Sequence, residues 1–323
     1  MRILYGIQTT GLGHLSRSLK VIKSLERRGF SVDIVSSGPH QEVYRLNSKH
    51  YTGFSFMKNS GGEIDLVKTV LNQKITRLWK DVRDFPKVDY RFVISDFEPI
   101  TSWVSKVRDL PLVSLSNQSN FLSKNFRRPA DLLSLSEIVM KGAIPFGKPI
   151  GLHWKPFDNF IYKPIIRDEI SLQTQMVEED YYLIYINNMT IDEICKILKK
   201  FTNQNFIVYL SQREPDKCSN NIKIKQLNFK SFTRDLISCK GVISNSGFST
   251  ITESIYLGKK LMSIPQKNQW EQICNANDLA GDGFFIGDSL DNLDEFIRSE
   301  GVTIPRWSDP TEDIVDEILL QVG

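Results

Sequence analysis

The chain has 323 residues, of which 41% are hydrophobic and 24% charged, a balance that excludes wholesale disorder. At roughly 150 residues per domain it has material for two domains. Its net charge of +3 is too small for a protein that grips a phosphate backbone, so no nucleic-acid partner is expected.

The longest apolar runs, such as Tyr181–Ile186, fall well short of the ~20 residues of a membrane span. The apolar stretch after Met1-Arg2 is too short for the core of a signal peptide. Cys195, Cys218, Cys239 and Cys274 form no CxxC pair. Neither a disulfide framework nor a zinc site is therefore expected, and a reducing cytoplasm is the expected compartment.

In chain order, Arg2–Gly6 reads as a strand, broken by Thr9-Thr10-Gly11-Leu12-Gly13-His14. Leu15, Leu19, Ile22 and Leu25 then recur at helical spacing until Gly29 supplies a C-cap. Phe30–Val35 reads as a second strand, completing a βαβ unit whose right-handed crossover implies a parallel sheet. An amphipathic pattern from Ile64 to Phe85 carries a basic flank of Lys68, Lys74, Arg77, Lys80 and Arg83. That flank suits a solvated helix face or, alternatively, contact with a membrane surface. Strands are expected at Arg91–Ser95 and Leu112–Ser116, with a helix opened by Pro99 between them.

Glycines and prolines between Gly142 and Pro164 read as an inter-domain linker and its approaches. A second series follows, with strands at Tyr181–Ile186, Asn205–Leu210, Ile222–Leu227, Gly241–Ser244 and Lys260–Ile264. Its helices are expected to open at the capping box Thr190–Glu193, to cover Phe232–Cys239 and about Thr250–Leu257, and to begin near Gln269. A last amphipathic helix covers Glu312–Leu320. The chain reads as two doubly wound α/β domains in series.

Open parallel sheets bind ligands beyond the carboxyl ends of their strands, and three such loops stand out. In Gly11-Leu12-Gly13-His14 the glycines allow close backbone approach. Ser16 replaces the third glycine of a dinucleotide fingerprint, and no acid ends the second strand, which disfavours NAD. His14 suits either a general base or a turn residue. In Ser95-Asp96-Phe97-Glu98-Pro99 the carboxylates could orient a base, bind an acceptor, chelate a cation, or cap the helix. The third loop, Ser244–Glu253, presents backbone N–H groups at a helix start, a natural pyrophosphate seat. Glu253 is placed to accept the hydroxyls of a ribose, or alternatively to close a capping box with Thr250. The cluster Gln266, Gln269, Glu271, Gln272 and Asn275 suits the hydroxyls of a sugar or, alternatively, is simply a polar helix start.

Gly11-Leu12-Gly13-His14 and, in the second half, Ser246-Gly247, Thr250, Glu253, Gly258, Pro265, Gln269, Glu271-Gln272 and Asn275-Ala276 together resemble the MurG-like glycosyltransferases of the GT-B fold. The resemblance implies an α/β fold of two Rossmann-like doubly wound domains facing across a cleft. Residues 1–150 would bind the acceptor and 151–308 the nucleotide sugar, with 309–323 forming a helix that crosses back. It implies an inverting, metal-independent hexosyl transfer from a nucleotide sugar, most simply a UDP-sugar, to a hydroxyl of a glycan or lipid-linked acceptor, with no bound cofactor and a role in cell-envelope polysaccharide. Gly11, Gly13, Ser246, Gly247, Phe248, Ser249 and Thr250 would line the donor, and Glu253 would hold the ribose. Phe229 and Lys230 would lie near the base, and Gln269, Glu271 and Gln272 near the sugar. His14 would be the catalytic base, with Asp96 and Glu98 as rivals. The Asn187-Asn188-Met189 segment departs from the Gly-Ser loop of many relatives. Two further readings share the fold, a nucleotide-sugar 2-epimerase and a non-catalytic nucleotide-sugar-binding protein.

Overall fold

A computed structural model describes residues 1–9, 12–38, 48–52, 75–129, 141–173, 177–210 and 220–323. The first sheet contains β1 (Arg2–Gln8), β2 (Ser31–Ser37), β3 (Lys49–Tyr51), β4 (Val93–Asp96), β5 (Leu112–Leu115), β6 (Lys148–Leu152) and β7 (Ile161–Tyr162) in the order β3-β2-β1-β4-β5-β6-β7. The second contains β8 (Tyr182–Tyr185), β9 (Phe206–Leu210), β10 (Ile222–Gln226), β11 (Gly241–Asn245), β12 (Lys260–Ile264) and β13 (Phe285–Ile286) in the order β10-β9-β8-β11-β12-β13. Their pairings are parallel throughout. In each sheet the order reverses beside the first strand of the series, at β1/β4 and at β8/β11. That reversal opens the crevice in which doubly wound folds place ligands.

The helices are α1 (Leu12–Arg27), α2 (Ile75–Arg83), α3 (Pro99–Arg108), α4 (Asp168–Ser171), α5 (Ile191–Leu198), α6 (Phe229–Ser238), α7 (Phe248–Tyr256), α8 (Trp270–Gly281), α9 (Leu293–Arg298) and α10 (Thr311–Val322). Gly29 follows α1 with φ +85°, the left-handed stop that a residue without Cβ supplies. Thr190 and Glu193 form the reciprocal capping box that opens α5.

Two expected boundaries move. The Gly/Pro-rich stretch read as a linker holds β6 and β7, so the first sheet continues past residue 150 to Tyr162. Proline is tolerated here because Ser114 pairs with Pro149 near the sheet's edge. Helix α6 opens at Phe229 rather than Phe232, because the Asn228 side chain accepts from the N–H groups of Lys230 and Ser231. The basic helix is described only over α2, where Arg77, Lys80 and Arg83 are exposed; Lys68 and Lys74 lie outside the described residues. No described helix is long and apolar enough to cross a membrane. Cys195 is disulfide-bonded, whereas Cys239 is a buried free thiol. Sequence spacing did not suggest that bond, because it does not record which thiols the folded chain brings together.

The halves share one apolar core. It runs from Ile3, Tyr5 and Ile7 of β1 through buried Trp154 to Leu183, Val242 and Ile251, and takes in Ile314, Val315 and Ile318 of α10. Trp154 Nε1 also donates to Asp282 Oδ2 at 2.8 Å, pinning the segment after β6 to the end of α8. Helix α10 returns to α1, where Ser24 donates to Glu312 and Arg28 pairs with both Glu312 and Asp316.

Candidate active site

Helix α1 begins just beyond β1, and β4 ends beside β1, so the polar ends of both meet above the sheet. Asp96 is the last residue of β4, and the chain turns sharply at Phe97, which takes the left-handed φ of +55°. The Asp96 side chain is completely buried. Its Oδ1 lies 2.8 Å from His14 Nδ1, and its two oxygens accept from Arg17 Nη2 and Nε at 2.5 and 2.7 Å. Ser18 Oγ also donates to Asp96 Oδ2, at 3.3 Å.

Burial by itself would raise the Asp96 carboxyl, but Arg17 and His14 outweigh it and hold the group below its ordinary value. An ionised Asp96 only accepts, so the tautomer that pairs with it carries its proton on Nδ1 and leaves Nε2 as the basic nitrogen. Arg17 Nη2 also lies 2.7 Å from the same Nδ1 and donates to Asp96 Oδ1 and to Asn117 Oδ1, the latter at 3.2 Å, so Arg17 and Asp96 together fix the imidazole from its Nδ1 side. Sequence reasoning missed Arg17. The available signal was its place three residues after His14, on the same face of a helix.

Glu98 is not part of this cluster. It is the N-cap of α3, and its carboxylate accepts from Ile100 N, Thr101 N and Thr101 Oγ1 at 2.9, 2.6 and 2.7 Å. Burial raises its carboxyl, and the Thr101 and Ile100 donors oppose that rise. With Glu98 committed to the helix and Asp96 to Arg17 and His14, the two do not converge on a shared cation position. Among the described residues no group of three or more His, Cys, Asp or Glu side chains is placed to hold a metal.

Across the cleft, α7 starts at Phe248 with Gly247 as N-cap and no side-chain cap. Its first-turn amides are therefore open to an anion. A Cβ on Gly247 would meet nothing within 4 Å, so there is room beside them. A Cβ on Gly13 would lie 1.7 Å from Ser249 Oγ, so the starts of α1 and α7 abut and Gly13 permits the approach. Gly11 lies outside the described residues. Ser246 and Phe248 bring only backbone to this point. Ser246 Oγ is 2.7 Å from Ser263 Oγ inside the protein, and the Phe248 ring is buried in the core near Trp154. Asn245 ties the loops together, accepting from Asn187 N and donating to Asn188 Oδ1 and Ile264 O.

Because α7 opens two residues before Thr250, the Thr250–Glu253 capping box does not form. Glu253 instead accepts from Arg167 Nη2 at 2.7 Å through Oε2, and its Oε1 has no hydrogen bond among the described residues. The guanidinium of Arg167 lies 4.4 Å from the centre of the Phe229 ring. Lys230 is exposed in the first turn of α6, its N–H held by Asn228.

On α8, both carboxylate oxygens of Glu271 accept from the first half, from Asn117 Nδ2 at 2.8 Å and Gln118 Nε2 at 3.1 Å. Asn117 thus touches Arg17 on one side and Glu271 on the other. Gln272 folds back on Gln266, accepting from its N–H at 3.0 Å. Gln269 Oε1, Trp270 Nε1 and Gln118 Oε1 are buried without hydrogen-bond partners. Buried polar atoms left unpaired in this way have hydrogen-bonding capacity to offer a water or a polar ligand.

Two Rossmann-like α/β halves built on parallel sheets are the architecture of the GT-B glycosyltransferases. The chain belongs to glycosyl transferase family 1, whose model matches residues 1–299. The structure is similar to that of MurG from Acinetobacter baumannii, at 14% identity and a TM-score of 0.60, covering 99% of each chain. It is also similar to the glycosyltransferase SnogD from Streptomyces nogalater, at 12% identity and a TM-score of 0.57, again covering 99% of each chain. A third similar structure is UGT89C1 from Arabidopsis thaliana in complex with UDP, at 12% identity and a TM-score of 0.52, covering 98% of this chain and 89% of that one. At such identities the likeness to MurG is one of fold. No curated protein sequence matches the chain significantly.

Proposed function

We propose that this glycosyltransferase moves a sugar from a nucleotide sugar to an acceptor hydroxyl with inversion at the anomeric carbon and without a metal. The observation that carries the reading is the His14–Asp96 pair, 2.8 Å apart, set at the helix start that abuts α7. His14 Nε2 takes the proton of the acceptor hydroxyl as its oxygen bonds to the anomeric carbon. The bond from that carbon to the diphosphate breaks, and its electron pair leaves with the diphosphate. The amides at the start of α7 receive the developing charge, in the role a metal plays elsewhere. Asp96 keeps the imidazole oriented and balances the imidazolium that forms.

In this reading Gly247, Ser249 and Thr250 cradle the diphosphate, Glu253 accepts from the ribose, and Phe229 and Lys230 flank the base. Gln269 and Glu271 meet the donor sugar, with Glu271 held in place by Asn117 and Gln118. A UDP-sugar is the donor we favour, supported by the neighbour crystallised with UDP. The acceptor is a glycan or a lipid-linked hydroxyl. The half-exposed Trp79 beside Arg77, Lys80 and Arg83 on α2 supports meeting a lipid-linked acceptor at an anionic surface.

A thermal-shift panel of UDP, GDP and dTDP tests the donor assignment. UDP should raise the unfolding temperature most, and no shift with any of the three defeats the reading.

A further inference from the structure

Helix α7 contributes an acid to the donor site, and a buried cation from elsewhere in the chain holds it. Arg167 precedes α4 in the segment joining the two sheets and is 5% exposed. Its Nη1 donates to Thr233 Oγ1 at 2.6 Å and its Nη2 to Glu253 Oε2 at 2.7 Å. Thr233 Oγ1 donates onward to Phe229 O at 2.7 Å, so its hydrogen is committed and a lone pair faces Arg167. The guanidinium also covers the Phe229 ring, and its Nε is buried without a partner. The segment itself is anchored. Lys20 Nζ donates to Ile166 O at 2.9 Å and pairs with Asp168 and Asp309, and Trp307 Nε1 donates to Pro164 O at 2.8 Å.

A guanidinium held on three sides is a fixed strut, because its planar fork leaves little freedom once its bonds are made. Resting on the donor reading above, we propose that Arg167 is a positioning residue for the donor nucleoside. It occupies Glu253 Oε2 so that Oε1 alone is presented, as an ionised acceptor, to a hydroxyl of the pentose. A carboxylate buried without this partner would take a proton and present a weaker acceptor to the sugar.

The charged groups acting on Glu253 are Arg167 and Glu169. Burial pushes the carboxyl up, Arg167 opposes that rise, and Glu169 adds to it. Removing Arg167 leaves burial and Glu169 unopposed. Nucleoside affinity, which needs the ionised form, is then lost at a higher pH than in the wild type. The diphosphate contacts at α7 do not depend on this pair, so pyrophosphate binding is the internal control.

The test is calorimetric binding of UDP or GDP, whichever the wild type holds more tightly, and of inorganic pyrophosphate, from about pH 6 to about pH 9. R167Q should weaken nucleotide binding by roughly tenfold or more at the acid end, recover as pH rises, and leave pyrophosphate affinity unchanged. R167K, which keeps the charge, should restore most of the lost affinity. Thr233→Val loosens the guanidinium without stranding a charge, so it should give the same pH pattern in smaller size and serves if R167Q does not fold. Loss of equal size for nucleotide and pyrophosphate, a loss independent of pH, or no loss overturns the proposal. A wild type that binds neither nucleotide overturns the donor reading itself and this proposal with it.

Discussion

The Arg17 guanidinium meets the Asp96 carboxylate through two parallel hydrogen bonds, Nε to Oδ2 at 2.7 Å and Nη2 to Oδ1 at 2.5 Å, with 4% and 0% of the two side chains exposed. Such a fork is specific to arginine, and breaking a buried pair leaves an uncompensated charge. Arg17→Met should cost about 3–5 kcal/mol in chemical denaturation, and Arg17→Lys less, because the charge survives. A loss no larger than that of an exposed arginine would show that the pair is not a buried one.

The same pair has a consequence in acid. The fold lowers the Asp96 carboxyl, so its stabilisation is fully present above the ordinary carboxylate range and is lost as pH falls through the lowered value. Glu98 and Glu253, both raised by burial, act in the opposite sense. Asp96→Asn should therefore flatten the decline in stability below about pH 4 relative to the wild type. Parallel acid limbs in the two proteins would contradict this.

His14→Ala should lower turnover by about 10²–10⁴-fold while nucleotide affinity, measured separately, stays at the wild-type value. Glu98→Ala should do the reverse of a catalytic mutation. Loss of the cap should cost about 1–2 kcal/mol of stability, with turnover per folded molecule unchanged. A large fall in turnover in well-folded Glu98→Ala would return that residue to the chemistry.

Gly13 and Ser249 meet where α1 abuts α7. Gly13→Ala forces the two helix starts apart and should destabilise by about 1–3 kcal/mol in thermal or chemical unfolding. Ser249→Gly removes the obstructing side chain, so the double variant should regain most of that loss. Failure of the second substitution to rescue the first would place the strain elsewhere.

Asn117 and Glu271 link the first half of the chain to the second through one hydrogen bond of 2.8 Å. A double-mutant cycle of Asn117→Ala and Glu271→Ala should give a stability interaction energy of about 0.5–3 kcal/mol, and strictly additive losses would mean the contact does not close in solution.

Much of the scaffold was readable because strands and helices announce themselves locally. Alternation, helical spacing and glycine stops placed β1, α1, β8, β12 and α10 to within a few residues. Boundaries moved where a side chain distant from the apolar pattern took over, as at Asn228, or where proline and glycine disguised β6. The expected roles diverged for the same reason. Glu98 and Asp96 are two residues apart, yet the left-handed turn at Phe97 sends one to cap α3 and the other into the His14 cluster.

From its residues alone, then, the chain declares two parallel α/β series and the loops that carry His14, Asp96 and Glu253, since periodicity, caps and turns are properties of neighbours in sequence. Only the tertiary structure decides that Arg17 neutralises Asp96, that Arg167 occupies Glu253, and that Glu271 answers to Asn117 and Gln118. These partners lie between 79 and 154 positions apart along the chain. Their meeting is set by how the sheets and their crossovers pack, which no local pattern records.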